Sequence, residues 1–470
     1  MKMRKILSLA VVFVMLFTFL AACGGDGDDT GTVDPSGDPG VRYETKRPLE
    51  VGIWWNPDDI YDSNRTTIPA SEKNQMMGEI RLANMRAIEN RYNITLKFVD
   101  ITYNGAKESI STSIMAGSPD MDIYCMDLNF GIPYIMGDYC LPIDSYARPG
   151  SDIFTTQNVM SSLNVCGLDK DYIMRAAPFT DYNAIFMLGY NWDILQEFNQ
   201  PNPQALWDEG KWTWDAWLDI MKATTDSNRG TFGWGGAHVS LLDNLLISNN
   251  ANIALTDTQG LTSANTLEVL DFIYKMYNEH NVAKPWDGDI EYWDNNDWSG
   301  GTNAFFVWIA WLAQRNGVSK GFGTETDPAC DYTIRVVPWP LGPTVNSKDE
   351  VKGTNVKGNV YMIPKGVQDP FTVYDIWFDY NNWHGGDLEL RNEQAFWMQD
   401  LFADDVKGFQ FCQELGEKPQ FDMWEPLNAK NADSDTFGIG GIIGGTAMPS
   451  ELSEQWKNVM QDAIDKAYGK

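Results

Sequence analysis

The sequence predicts an α/β fold built on a parallel sheet, and three observations lead to that class. The chain has 470 residues of which 43% are hydrophobic, enough to bury large cores, and at about 150 residues per domain it predicts two or three units. Strand-like and helix-like segments alternate between residues 49 and 126. The later segments are more helical and richer in tryptophan. Strand–helix–strand alternation is typical of a parallel sheet with helical crossovers.

The first folded segments define this alternation. Strands are predicted at 49–55, 94–101 and 121–126, because apolar residues recur at period two or in short runs. In the first, Leu49, Val51 and Ile53 share one face. Helices are predicted at 79–92 and 106–116 from apolar residues spaced three to four apart, and Asn93 is expected to end the first helix.

Three later segments have the apolar spacing of amphipathic helices. Thr213 is expected to cap a helix over 214–224, with Asp215 near its positive end. A second helix is predicted at 266–280. The chain is predicted to close with a helix over 451–468 that Ser450 caps. Its expected buried face is Leu452, Trp456, Met460 and Ile464.

The charge balance excludes whole classes of partner. The chain carries 35 Lys and Arg against 65 Asp and Glu, a net charge of −30. Such a surface repels phosphate backbones and anionic lipid headgroups, so nucleic-acid binding is excluded. The 19 tryptophans equal the 19 tyrosines in number, an unusual abundance that leads us to expect rings with a role beyond core packing.

The N-terminus has the pattern of a secretory signal. Residues 1–22 combine a short basic start with an apolar run over 6–20 that is too short for a comfortable membrane span. The run ends in Leu20-Ala21-Ala22-Cys23-Gly24, which resembles a bacterial lipobox, so Cys23 is the expected lipidation site. An ordinary secretory signal with an incidental cysteine is the alternative. Residues 23–48, rich in Gly, Asp and Pro, are predicted to be a disordered tether.

Cysteine and histidine spacing gives no metal site. The other five cysteines have no C-x-x-C spacing, which excludes a disulfide scaffold or zinc cluster. A single Cys125–Cys140 bridge and separate buried thiols both stay open, as does any pairing among Cys125, Cys140, Cys166, Cys330 and Cys412. The three histidines lie far apart, so neither metal nor cofactor is predicted. Motifs of nucleophilic hydrolysis are missing. Glycosidases use a pair of carboxylates, but in so acidic a chain such pairs occur by chance and therefore give no evidence for glycosidic cleavage.

Several motifs follow one another in an order that resembles a known family. They are AGSPDMDIY at 116–124, LGYNWDIL at 188–195, GKWTW at 210–214, SANTLEVLDFIY at 263–274, GGTNAFF at 300–306, VVPWPLGP at 336–343 and YMIPKG at 361–366. Together they resemble the family 1 extracellular solute-binding proteins, lipoproteins that capture sugars for ABC importers. Phe305 and Phe306 stand where the family usually has Met, and residues 380–450 match no motif.

The resemblance implies a two-lobed periplasmic-binding-protein-like fold of type II, with mixed sheets flanked by helices and a ligand cleft at the hinge. It implies an N-terminal lobe from 49–180 and 345–388, and a C-terminal lobe from 181–344 and 389–470. The implied function is capture of a carbohydrate, expected to be an oligosaccharide, by lobe closure and its delivery to the membrane permease of an ABC transporter. The protein would be a monomeric, non-enzymatic lipoprotein, outside the membrane of a Gram-positive-type cell.

Two other functions stay open from the sequence. The richness in rings and carboxylates is also compatible with a surface-anchored glycoside hydrolase. A ligand-sensing subunit of a signalling system would have the same sequence features as a transport subunit. Which sugar is bound, and whether the ligand is another polar solute, is not predicted.

Two arguments select candidate ligand-binding residues. Open α/β sheets bind ligands where strands end, as the first strand does before Trp54, Trp55 and Asp58. The resemblance implies the others: Tyr124, Asp127, Trp308 and Trp311 match positions that touch sugar in the family, and Tyr182 and Asn183 lie near the first crossing between the lobes. Rings would cover the apolar face of a sugar and Asp or Asn oxygens would accept from its hydroxyl groups. Core packing for the tryptophans, a structural turn at Tyr124 and Asp127, a loop anchor at Trp234 and a helix cap at Asp58 are the alternatives. The candidates are Trp54, Trp55, Asp58, Tyr124, Asp127, Tyr182, Asn183, Trp234, Trp308 and Trp311.

Overall fold

A computed structural model describes most of the chain. The described residues are 42–69, 72, 75–147, 154, 170–174, 186–286, 300–309, 332–354, 360–387, 390, 405–416, 418–420, 422–428 and 438–468. The predicted signal segment, Cys23 and most of the predicted tether lie outside them, as do Tyr182, Asn183, Trp311, Cys166 and Cys330. No helix within these ranges has the length and apolar character needed to cross a membrane.

Strands and helices alternate along the described residues. The strands are β1 (Arg47–Ile53), β2 (Ile94–Asp100), β3 (Ile123–Met126), β4 (Phe186–Asn191), β5 (Phe232–Trp234), β6 (Asn303–Ile309), β7 (Ile334–Val337), β8 (Gly353–Thr354), β9 (Val360–Met362) and β10 (Pro419–Gln420). The helices are α1 (Gln75–Tyr92), α2 (Tyr103–Met115), α3 (Leu128–Met136), α4 (Trp192–Glu197), α5 (Pro203–Asp208), α6 (Trp214–Thr224), α7 (His238–Ser248), α8 (Ala264–Tyr274), α9 (Pro370–Asn381), α10 (Val406–Gly416), α11 (Trp424–Asn428), α12 (Ile439–Ile443) and α13 (Pro449–Ala467).

The first sheet has the strand order β2-β1-β3-β9. β1 pairs in parallel with both β2 and β3, as the strand–helix alternation predicts, and β9 joins β3 antiparallel. The sheet is therefore mixed. Leu49, Val51 and Ile53 of β1 are fully buried, which confirms the face predicted from their spacing. Asn93 follows α1 with φ 55°, a left-handed conformation that ends the helix as expected.

The fold begins earlier than the predicted tether boundary at residue 48. β1 starts at Arg47, whose guanidinium group forms an ion pair with Asp122. The backbone N–H of Tyr43 donates to the carbonyl of Tyr92 at 3.1 Å. Residues 42–48 therefore pack against the domain, because Arg47 and Pro48 begin the interior strand β1 and Tyr43 satisfies the end of α1.

The second sheet has the strand order β5-β6-β4-β7. β4 is antiparallel to both β6 and β7, whereas β5 and β6 are parallel. Within the segment 345–388 that the sequence assigns to the N-terminal lobe, β8 pairs with β10 and β9 joins the first sheet. β8 and β10 form a separate two-stranded sheet, and the predicted lobe boundaries stay a prediction.

Helix ends agree with the sequence in one case and differ in another. The hydroxyl of Thr213 accepts from the N–H of Ala216 at 3.3 Å, so α6 begins and ends as predicted. The prediction that Ser450 caps the last helix is wrong, because α13 starts at Pro449, whose ring is pre-shaped for a first helical position, and Met448 precedes it. Leu452, Met460 and Ile464 form the buried face of α13.

The cysteines that the structure describes are separate thiols. Cys140 and Cys412 are buried and free, so Cys140 forms no bridge with Cys125. Burial raises the pKa of both thiols well above the ordinary value, which keeps them protonated and unreactive.

Candidate functional site

The carboxyl ends of β1, β2 and β3 lie on one edge of the first sheet, because the three strands run parallel. The chain leaves this edge through Trp54 and Trp55 after β1, through Thr102 into α2 after β2, and through Asp127 into α3 after β3. Open α/β sheets bind ligands at such edges. Two of the three exits carry residues that the sequence predicts as ligand contacts.

Five rings form a contiguous cluster at this edge, which we call the edge cluster: Trp54, Trp55, Tyr103, Phe130 and Tyr134. The ring centroid of Trp54 lies 5.7 Å from that of Trp55, 5.5 Å from that of Tyr103 and 6.0 Å from that of Phe130. These contacts are edge-to-face, an arrangement that aromatic pairs prefer. All except Phe130 are partly exposed, so the cluster is half core and half surface.

Sequence reasoning missed three members of the edge cluster. Tyr103, Phe130 and Tyr134 lie on helices rather than on the loops directly after strands. The i, i+4 spacing of Phe130 and Tyr134 within a short apolar segment was the available signal, since it places both rings on one side of a helix. That helix, α3, was not predicted.

The turn into α2 holds an unusual backbone conformation. Thr102 has φ 61° and ψ 161°, a region that is almost restricted to glycine and is costly for a β-branched residue. Two hydrogen bonds fix it: Asp100 Oδ1 accepts from the Thr102 N–H at 2.9 Å, and Thr102 Oγ1 accepts from the Gly105 N–H at 3.1 Å. The strained residue directly precedes Tyr103, so the turn sets where that ring lies.

Asp127 caps α3 at the same edge. Its Oδ1 accepts from the N–H of Asn129 at 2.7 Å, which is the local role that the alternative interpretation of this residue predicts. The side-chain oxygen Oδ1 of Asn129 is buried and has no hydrogen-bond partner among the described residues. A buried acceptor without a partner costs free energy, and here it stands beside Phe130.

Asp58 is exposed in the turn that follows the two tryptophans. Asn56 rather than Asp58 caps this turn, because Asn56 Oδ1 accepts from the Asp58 N–H at 3.1 Å. Asn56 Nδ2 also donates to Asp58 Oδ2 at 2.8 Å. The alternative that Asp58 is the helix cap is therefore wrong, and its carboxylate stays accessible near the edge cluster.

Tyr124 does not belong to the surface of this edge. Its side chain is fully buried on β3, and its hydroxyl group shares hydrogen bonds with Ser109 Oγ at 2.8 Å and Ser113 Oγ at 3.1 Å. Its hydroxyl group thus ties β3 to α2, and the predicted ligand contact of Tyr124 stays a prediction.

Trp234 and Trp308 also lie in the core rather than at a surface. Trp234 is fully buried, and its Nε1–H donates to the Tyr277 hydroxyl at 3.0 Å. Trp308 is 3% exposed on β6, opposite Met187 of β4. Both side chains pack around the second sheet, and their predicted contact with ligand stays a prediction.

Lys107 lies against the edge cluster, and the sequence did not single it out. Its ammonium Nζ stands 4.2 Å from the ring centroid of Tyr103 and 5.7 Å from that of Phe130. The Tyr134 hydroxyl donates to the backbone carbonyl of Lys107 at 2.9 Å, which holds α2 against α3. Burial raises the pKa of Tyr134, so its hydroxyl stays a proton donor.

The C-terminal region reaches this site through α11, which packs against α3. Trp424 Nε1–H donates to Asp243 Oδ1 at 2.8 Å. The carboxylate of Asp422 accepts from the N–H groups of Ile253 at 2.6 Å and Ala254 at 2.8 Å. Burial, with the nearby Asp243 carboxylate, raises the pKa of Asp422 to about 6. Buried polar contacts of Asp422 and Trp424 thus fix α11 to α7 and to the segment after α7. We call the part of the molecule around the second sheet the second region.

The described part of the chain has no set of side chains arranged to bind a metal ion. No group of three or more His, Cys, Asp or Glu side chains is arranged there to hold a metal ion. The edge cluster instead offers aromatic faces, and the nearby side chains of Asp58, Asp127 and Lys107 add carboxylate acceptors and an ammonium group. Such a surface can bind a solute that has both an apolar face and a polar rim.

Comparison with solved structures identifies the class of fold. An ABC substrate-binding protein from Listeria monocytogenes in complex with cycloalternan has a TM-score of 0.59, 13% identity, and covers 90% of this chain and 99% of its own. The GacH receptor of Streptomyces glaucescens, solved unliganded and with acarbose, has a TM-score of 0.60, 12% identity, and coverage of 90% and 99%. UgpB from Mycobacterium tuberculosis in complex with glycerophosphocholine has a TM-score of 0.58, 14% identity, and coverage of 89% and 99%.

These similarities show that the chain has the two-lobed α/β fold of ABC transporter solute-binding proteins, with mixed sheets flanked by helices. The resemblance predicted from the sequence motifs is confirmed at the level of the fold. No protein-family model matches the chain, and no curated protein matches it in sequence. At 11–14% identity the similarity carries the fold, and the function is argued from the site.

Proposed function

We propose that the protein is the substrate-binding subunit of an ABC importer and that it captures a carbohydrate without altering it. The observation that carries the proposal is the edge cluster, a half-exposed group of rings at the carboxyl edge of a sheet in this fold. Solved proteins of the same fold bind cycloalternan and acarbose. One binds glycerophosphocholine, so the fold alone does not restrict the ligand to sugars, and the rings favour a carbohydrate.

The proposed contacts follow from the chemistry of a sugar. Its C–H face would lie on the exposed ring faces of Trp54 and Trp55, because an aromatic face attracts the C–H edge of a pyranose. The carboxylates of Asp58 and Asp127 would accept from hydroxyl groups. Tyr182, Asn183 and Trp311 stay proposed contacts from the hinge and the second lobe.

Closure of two lobes would complete the site. The proposed lobes are those predicted from the sequence, and hinge residues at the crossings would absorb the rotation. A ligand that touches both lobes favours the closed form by as much as it binds that form more tightly. The closed, monomeric complex would then be the form that the permease recognises.

The proposed location is the outer side of the cell membrane of a Gram-positive-type bacterium. The signal segment over 1–22 would be removed and Cys23 would carry the lipid. The acidic surface is compatible with a protein that neither binds nucleic acid nor lies on anionic lipid. Without the anchor the protein would be released from cells, which fractionation of a Cys23→Ala variant would measure.

The decisive experiment is titration calorimetry of a glycan panel against the chain from residue 42 onward. We expect one oligosaccharide to bind, and Trp55→Ala to weaken it by about tenfold or more, as for other buried aromatic contacts. Trp383→Ala is the matched control: Trp383 is also partly exposed, but its ring packs against Arg81, outside the edge cluster.

Two further measurements separate capture from catalysis. Small-angle scattering should show a smaller envelope on ligand addition, and the ligand should be recovered chemically unchanged. Shortened glycan products would favour the surface glycoside hydrolase instead. If wild type and Trp55→Ala bind the glycan with equal affinity, the edge cluster is not part of the binding site.

A further inference from the structure

Several cations around the first sheet pair with acidic side chains, whereas Lys107 lies against aromatic rings. Arg47, Lys97 and Lys365 pair there with Asp122, Glu50 and Asp138 respectively. Lys107 Nζ instead faces the rings of Tyr103 and Phe130, and within the described ranges it forms no ion pair. In a chain with 65 acidic and 35 basic residues, an ammonium group that is paired with rings rather than with carboxylates needs an explanation.

Two acidic side chains at the carboxyl ends of β2 and β3 are engaged by backbone groups. Asp100 Oδ1 accepts from the Thr102 N–H and Asp127 Oδ1 accepts from the Asn129 N–H. Glu108, the next residue along α2, is exposed. Asp100 and Asp127 therefore each use an oxygen to fix the start of a helix.

Among the residues that the structure describes, no hydrogen bond engages the ammonium group of Lys107 besides its ring contacts. An ammonium group has three N–H donors. A ring face attracts its positive charge, but the ring is not a conventional hydrogen-bond acceptor for these donors. A neutral hydroxyl can accept from such a donor. A carboxylate or sulfate oxygen accepts more strongly, because both partners then carry charge.

We propose that Lys107 recognises an anionic substituent, so that the ligand is a saccharide bearing a carboxylate or a sulfate group. This inference rests on the proposed function and names the class of its substrate. The sugar would pack on the edge cluster and place its charged substituent beside Tyr103, where the ammonium group stands. The net charge of −30 repels such a ligand at long range, so the selection depends on this short-range contact.

The test is calorimetry of the full chain, purified in detergent, with matched saccharide pairs. The probes are trigalacturonate and a sulfated galactotriose, each compared with neutral galactotriose. We expect at least one charged probe to bind about tenfold or more tightly than the neutral one. Lys107→Gln should abolish that preference and Lys107→Arg should retain most of it, because guanidinium keeps the charge.

Lys222→Gln is the matched control, since it removes one charge from an exposed position on α6 and should leave the preference unchanged. Thermal melting of each variant checks that it is folded. A preference that survives in Lys107→Gln overturns the inference, and so does failure of both charged probes to bind. If neutral galactotriose binds more tightly, the inference fails while carbohydrate capture stands. If a wider panel of neutral and charged glycans also fails to bind, carbohydrate capture fails as well.

Discussion

Tryptophans play different roles at the edge of the first sheet and in the second sheet region. Trp54 and Trp55 are partly exposed and contact other rings edge-on. Trp212 and Trp234 are fully buried, and their Nε1–H groups donate to Pro338 O at 2.9 Å and Tyr277 Oη at 3.0 Å. A buried indole needs a partner for its N–H, and a ligand platform needs an open face.

The difference teaches that abundance of tryptophan alone does not locate a binding site. The second region uses these rings as large core residues, as the contacts of Trp217 with Trp234 and Trp339 illustrate. The first sheet presents few tryptophans, but presents them where three strands end together. The expectation of rings with a role beyond packing therefore applies to the edge cluster and not to most tryptophans that the structure describes.

The largest expected effect separates the two groups through stability. Trp234→Ala should lower the free energy of unfolding by about 3–5 kcal/mol, because it leaves a cavity in a packed core. Urea denaturation followed by far-UV circular dichroism measures it. Trp234→Phe is the control that keeps most of the volume and loses the bond to Tyr277, with an expected cost of about 1 kcal/mol. A small loss for Trp234→Ala would show that this ring is not a core residue.

A second prediction concerns pH and the buried carboxylate of the second region. The pKa of Asp422 in the folded protein is raised from 3.8 to about 6. The folded state therefore binds this proton more tightly than the unfolded state. The stabilisation is fully present below pH 3.8 and is lost as pH rises through about 6, an effect of at most about 3 kcal/mol.

Urea denaturation at several values between pH 4 and pH 7 measures this contribution. Asp422→Asn should flatten that part of the profile, because the amide does not titrate. Asp58→Asn is the control, since Asp58 is exposed and its replacement should leave the profile unchanged. An identical slope in wild type and Asp422→Asn would assign the pH dependence to other groups.

The fold could be read from the sequence because its signals are local. Period-two and helical spacing gave β1 to β3 and the helices α1 and α2, and the hydroxyl of Thr213 gave the start of α6. The cap of α13 was missed because Pro449 and Ser450 both favour a helix start, and the choice between them depends on packing. The antiparallel partner β9 lies more than 230 residues from β3, and a pairing over that distance has no local signal.

The site could be predicted only in part for the same reason. Strand ends can be placed from sequence, which is how Trp54, Trp55 and Asp127 were found. Inward and outward orientation next to a strand end depends on register, so the sequence could not show that the Tyr124 side chain is fully buried. Tyr103, Phe130 and Lys107 come together through packing between α2 and α3, and no spacing within one segment encodes that contact.

A third prediction tests where the first region begins. A chain that starts at residue 49 should be less stable than one that starts at residue 42, by about 2 kcal/mol, because it loses backbone hydrogen bonds and an ion pair. The lost contacts are those of Tyr43 with Tyr92 and of Arg47 with Asp122. Thermal melting of the two chains compares them directly. Equal melting temperatures would restore the predicted boundary at residue 48.

The smallest expected effect concerns backbone strain at the edge cluster. Thr102→Gly should raise the free energy of unfolding by up to about 1 kcal/mol, because glycine adopts φ 61° without steric cost and the lost cap costs only a few tenths. Thr213→Gly is the control, since Thr213 caps α6 with an ordinary φ of −115° and should lose stability. Urea denaturation measures the free energy of unfolding of both variants. A loss of stability in Thr102→Gly as well as in Thr213→Gly would show that Thr102 is unstrained. If the strain serves to position Tyr103, Thr102→Gly should weaken carbohydrate binding although it stabilises the protein. These opposite effects would distinguish a turn that serves binding from a strained turn that is merely tolerated.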